Sequence, residues 1–289
     1  MKRIAITAVA LVVCLSAFGQ DKTKQQGAPA TQTPAPAAGQ AATPAGKRQP
    51  QAKTQPEFDA YKTAMALTDA AEQEKAADDF ATKFPDSELR VVLYKAAMQK
   101  YGNTGNSDKM LDLGKKALSI DGDDPEALVT VSQVLAERTK DTALDKDERL
   151  AEAKKDAERA LVTVDTDVPT AGYPPERIDM FKRFVRSEAY AILGTLASNA
   201  EKYPEAETQL KKSIEAFPEQ VDPVAVLRLA IALDKQNKTS DALKYADQAV
   251  DLTKDHPDAP AGKAARAEQD RLKALNSGTA PGQPTPAKN

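Results

Sequence analysis

The sequence predicts an all-α chain of paired antiparallel helices, and three observations predict it. Between Pro56 and Leu275 apolar residues recur at helical spacing, in runs broken by short turn signals. The apolar set is 41% of the chain, yet aromatics are 5% and Trp is absent. A core of Ala, Leu and Val suits close-packed helices better than a β-sandwich, which draws on β-branched and aromatic residues. Third, small residues sit at a fixed interval: Gly194, Ala206 and Pro218 are twelve residues apart.

The first segment, residues 1–19, reads as a secretory signal peptide. Lys2 and Arg3 form a positive start, Ile4 to Leu15 an apolar stretch, and Ala17 and Gly19 the small residues of a cleavage site before Gln20. The apolar run is too short to anchor the chain across a bilayer. Cys14 is the sole cysteine. Its setting, Leu11-Val12-Val13-Cys14, loosely resembles the lipobox of bacterial lipoproteins, but that pattern wants a small residue where Val13 stands. Cleavage after Gly19 leaves a chain without thiol or disulfide chemistry.

Residues 20–56 are rich in Pro, Ala, Gln and Thr without apolar periodicity, which predicts a disordered tether, and residues 276–289 read as a disordered tail of the same kind. Charge divides along these boundaries. Of the formal net charge of −3, the leader carries +2, the tether +4 and the tail +1, which leaves −10 on residues 57–275. An acidic helical region is a poor match for a phosphate backbone, so nucleic acid is not the expected partner. Membrane contact is expected only through lipidation at Cys14 or through the basic tether.

Each helical pair can then be read in order. A first pair spans Glu57–Phe84 and ends at Pro85. The next carries Tyr94, Ala97, Met98 and Tyr101, then, past the GNTGN turn at 102–106, Met110, Gly114 and Ala117. Asp124 before Pro125 reads as an N-cap and a first helical residue, opening a helix with Leu128, Val131, Ser132 and Leu135. Its partner helix, with Ala153, Ala157 and Ala160, comes late after the insertion KDTALDKDE. A second, longer insertion covers Leu161–Arg186. There Pro169, Gly172, Pro174 and Pro175 mark a loop, residues from Glu176 onward extend the next helix, and Tyr173 and Phe181 are candidate contacts.

Tyr190, Leu193, Gly194 and Ala197 share one helical face, and Ala206, Leu210, Ser213 and Ile214 share the face of its partner. Downstream, Val226, Leu229, Ala230 and Leu233 pair with Ala242, Ala246 and Ala249, and Pro260–Leu275 reads as a capping helix. Residues 187–220 resemble a tetratricopeptide repeat (TPR), W-x₂-L-G-x₂-Y then A-x₃-F then P over about 34 residues. Leu193, Gly194, Ala206 and Pro218 match outright, while Tyr190, Ala197 and Leu210 stand for the Trp, Tyr and Phe. The resemblance covers about three quarters of the chain.

That resemblance implies an α-α superhelix, a TPR-like solenoid of about four to five helical hairpins plus a C-terminal capping helix over residues 57–275. It also implies a concave groove for a protein or peptide partner. With Tyr190, Leu193, Gly194 and Ala197 committed to packing, the opposite stripe carries Ala191, Thr195 and Ser198. Its equivalents are Val129 and Gln133 upstream and Leu227 and Ile231 downstream. Some relatives grip a C-terminal carboxylate with a Lys/Asn clamp; here Lys95 and Gln99 supply half of one and Thr130 does not complete it.

Residues for chemistry are not assembled. His256 is the single histidine, set among Pro and Asp at a repeat boundary, so no zinc constellation follows. The run Asp121-Gly122-Asp123-Asp124 lacks the alternation and closing Glu of a calcium loop. No catalytic, cofactor-binding or metal-binding residues are expected. The functional expectation is a non-catalytic adaptor or scaffold, exported to the periplasm or secreted, that binds an envelope protein. The alternatives are a lipid-anchored outer-membrane assembly factor and a cell-wall-active enzyme.

Overall fold

The computed structural model describes residues 46–277. Within them the chain is all-helical, with eleven α-helices in five antiparallel hairpins and a cap. The hairpins are α1 Gln55–Met65 with α2 Ala70–Lys83, α3 Leu89–Asn103 with α4 Ser107–Ile120, and α5 Pro125–Arg138 with α6 Lys146–Thr163. They continue with α7 Pro175–Asn199 and α8 Tyr203–Ala216, then α9 Pro223–Asp234 and α10 Thr239–Leu252. α11 Pro260–Asn276 covers the last pair. The architecture is the TPR-like α-α superhelix expected from the sequence.

Helix starts are fixed by local chemistry. Thr54 caps α1 in a reciprocal box with Glu57. Asp69, Asp124 and Asp222 accept from the first amides of α2, α5 and α9, and Pro125 and Pro223 occupy first-turn positions where a missing N–H costs nothing. Lone repeats cannot bury their faces, so the hairpins bury one another's. Ala77, Ala117, Ala153, Ala157, Ala206, Ala230 and Ala246 are wholly excluded from solvent at the contacts. Their small side chains let the axes approach, and Leu93, Leu113, Leu210, Leu229 and Leu233 fill the space between.

The Gly194 position shows why the interval of twelve exists. A Cβ there would lie 2.6 Å from Leu210 Cγ of α8, inside any real contact distance. Nearby, the Ser187 hydroxyl donates to the Ser213 carbonyl at 2.9 Å, tying α7 to α8 a second time.

One boundary moves. α1 begins at Gln55, and residues 46–54 belong to the fold rather than to a disordered tether ending at 56. Composition could not show this, because the hold is made by polar partners on other repeats. Residues 1–45 and 278–289, with the signal peptide, Cys14, most of the tether and most of the tail, lie outside the described residues. Among the described residues no helix is long and apolar enough to cross a membrane.

Candidate functional site

A cavity of about 960 Å³ lies between α1, α3, the start of α5 and the α6–α7 connection. Its floor comes from α1 and α3: Tyr61 and Met65, then Val92, Lys95, Ala96 and Gln99, the last four on one face by helical spacing. The far wall is the insertion and the start of α7, with Tyr173, Ile178 and Phe181. Lys47 and residues 49–54 form the near wall. The long proline-marked loop thus brings Tyr173 to the mouth, where Arg177 stacks over its ring at 6.0 Å. Tyr61 and Tyr173 sit close enough for their hydroxyls to interact, and burial raises both above the ordinary phenol range.

The polar floor is internally satisfied. Lys95 Nζ donates to Asp124 at 2.7 Å and lies 2.9 Å from Glu126. Burial works to lower the Lys95 pKa, but the two carboxylates outweigh it and raise it, so the group stays an ammonium. Gln99 donates to Glu126 at 2.5 Å. The two residues that hint at a carboxylate clamp are therefore engaged by acids of α5 and its cap. At the edge, Lys47 Nζ donates to both oxygens of Asp121 at 2.6 Å and stands 3.4 Å from Asp167.

The other groove candidates fare differently. Val129, Ala191, Thr195 and Leu227 are only 5%, 7%, 5% and 6% exposed. Thr195 spends its hydroxyl on the Ala191 carbonyl of its own helix at 2.8 Å. The reading of these four as an open stripe is corrected, and the reason is geometric. A first helix inside a solenoid packs against its hairpin partner and also against the first helices on either side. α7 does so with α8, α5 and α9, so the face opposite α8 is not free. Gln133, Ser198 and Ile231 keep partial exposure, with Ile231 resting on the Val226 and Leu227 cluster.

Beside Gln133 lies a charged feature that sequence reading missed. Glu137 of α5, Glu188 of α7 and Asp222 before α9 face Arg228 of α9. Partly buried, Glu188 is pushed up to about 8 by loss of water, then by Asp222 and Glu137, with Arg228 opposing. No signal in one helix announces this, because each residue comes from a different repeat. Among the described residues no group of three His, Cys, Asp or Glu side chains is arranged for a metal ion. His256 is exposed.

No family model and no curated protein matches the chain. Among solved structures it is similar to YrrB, described as a TPR protein with an unusual peptide-binding site. The likeness has 19% identity and a TM-score of 0.41, over 69% of this chain and 89% of that one. It is also similar to Acl4, described as an assembly chaperone of RpL4, at 12% identity and a TM-score of 0.38 over 77% of this chain and 98% of that one.

Proposed function

We propose that the chain is a non-catalytic interaction scaffold of the cell envelope, exported to the periplasm or secreted, that holds a partner polypeptide in the cavity between α1, α3 and the α6–α7 insertion. The observation that carries this is the cavity itself. Apolar Tyr61, Met65, Val92 and Ala96 share the floor with the ion-paired Lys95, and Tyr173 and Phe181 add aromatic surface to the far wall. Such a trough fits an extended or helical segment with apolar anchors, the mode in which side-chain pockets give specificity and the rim gives register. The envelope location rests on the leader-like residues 1–19.

Site-specific photo-crosslinking tests the placement. A benzophenone side chain is installed at Ala96 in the cavity, at Gln133 on the stripe of α5, or at Lys155 on the exposed side of α6. Adducts with one envelope partner from Ala96, and none from Lys155, are the expected result. Adducts from Gln133 or Lys155 without any from Ala96 would remove the cavity as the binding site.

A further inference from the structure

Residues 46–53 do not lie on the fold as a loose end; they are fitted to it. Gly46 sits so close to the insertion that an added Cβ would be 2.6 Å from the Val168 carbonyl oxygen, so only glycine passes there. The Lys47 amide donates to the Thr166 carbonyl at 3.1 Å, while its ammonium enters between Asp121 and Asp167. Gln49 donates through its side chain to the Ala171 carbonyl. Arg48 reaches Glu88 at 2.6 Å, and Lys53 Nζ reaches the Asp86 carbonyl at 2.7 Å. One extended segment therefore bridges the α2–α3 turn, the α4–α5 turn and the α6–α7 insertion.

These holds are polar and placed at the edge. Arg48 and Glu88 are 61% and 42% exposed, and Lys47 is 35% exposed. Solvent-exposed pairs of this kind are screened by water and salt and hold weakly. Yet the segment walls an apolar cavity along Lys47–Thr54. A cover of shaped but weak contacts over apolar surface is a replaceable occupant.

We propose that Asp121, Asp167 and the Thr166 carbonyl form a lysine seat, that the chain's own Gly46-Lys47 fills it as a built-in ligand, and that a partner segment with a glycine followed by lysine takes the seat and opens the cavity. This rests on the cavity being the binding site. The seat reads three things: an ammonium through two carboxylates, a backbone N–H through Thr166, and a missing side chain through the Val168 carbonyl. The acidic helical region, −10 over residues 57–275, favours a cationic visitor. The tethered strap competes at an effective concentration in the millimolar range, so free peptide binds poorly until the strap is weakened.

The test uses the full chain and a fluorescent, capped octapeptide, Gly-Lys-Arg-Gln-Pro-Gln-Ala-Lys, read by anisotropy. Gly46→Ala and Lys47→Ala each unseat the strap, and both variants are expected to bind the peptide about tenfold or more tightly than the unaltered chain. A peptide with alanine in place of its first lysine should lose that gain, as should the Lys47→Ala chain when Asp121→Asn and Asp167→Asn are added. Circular dichroism confirms that each variant keeps its helices. Equal peptide affinity in the unaltered and Lys47→Ala chains would overturn the proposal, as would equal binding of the alanine peptide. Crosslinks from Ala96 with no peptide effect would leave the cavity standing and remove the seat. Peptide binding that follows these substitutions without crosslinks from Ala96 would leave the seat standing and remove the cavity as the partner's site.

Discussion

An alanine at position 194 would place its methyl carbon 2.6 Å from Leu210 Cγ and 3.3 Å from the Leu210 amide nitrogen, so the flexible end of Leu210 cannot absorb it alone. Gly194→Ala is expected to cost about 1–3 kcal/mol through overpacking, read as a lower thermal midpoint by circular dichroism. An unchanged midpoint would mean that α7 and α8 are not seated as described. Two carboxyls give opposite pH signatures. Glu188 stands at about 8 in the fold against an ordinary 4.5, so the folded chain keeps a proton that the unfolded chain releases. Its contribution is whole below 4.5 and is lost as pH rises through 8. Glu188→Gln should therefore melt higher than the parent in mildly alkaline buffer and alike in acid; a higher parent midpoint in alkali would refute the sign. Glu207 is held down to about 2 against its partial burial, by Lys211, Lys238 and Gln236, so its stabilisation is present above 4.5 and fades as pH falls toward 2. Glu207→Gln should lose stability at neutral pH and little near pH 2.

Helices are where the reading of the sequence was most complete, and Asp124 shows why. A carboxylate ahead of a proline at a helix start has a local reason to be there, visible without the fold. In the structure it accepts from the Ala127 amide at 2.9 Å. The fold adds a second duty, because Asp124 also takes Lys95 of the preceding hairpin at 2.7 Å. Asp124→Ala should cost about 1 kcal/mol for the cap. A smaller part comes from Lys95, which keeps Glu126 at 2.9 Å and is 22% exposed. Asp124→Asn restores the cap alone and should recover more than half of the loss in urea unfolding; no recovery would mean that the ion pair outweighs the cap. The insertion at 161–186 was legible as a loop and a helix extension, since four of its residues are Pro or Gly. That it closes the cavity was not, because its contacts Lys47, Gln49 and Arg177 lie in other segments or depend on how the loop turns back.

At the scale of the whole chain, repeats are coupled only to neighbours, so damage at one hairpin should spread outward along the array. Hydrogen exchange on Gly194→Ala should show lost protection first in α7–α8, then in α5–α6 and α9–α10, with α1–α2 last. Uniform loss would indicate one cooperative core instead. Export has its own measurement. Mass spectrometry of the exported chain should find Gln20 at the N-terminus, whereas a lipid-modified Cys14 there would favour the anchored alternative.

Helical periodicity, the small residues at Gly194 and Ala206, and the Asp and Pro caps are local facts, so most helical faces are legible in the sequence, whereas the first pair, Glu57–Phe84, carries no clear face and the number of hairpins, five, came from the structure. The open surface is a different kind of quantity. A helix in a stacked array shows solvent only what three neighbours leave uncovered, and that remainder buried Ala191, Thr195, Val129 and Leu227 while leaving Val92 and Ala96 facing a cavity. The lysine seat is decided the same way. Lys47 and Asp121 stand 74 residues apart in the chain. Only the folding of three successive hairpins beneath one extended strap brings their charges within hydrogen-bonding distance.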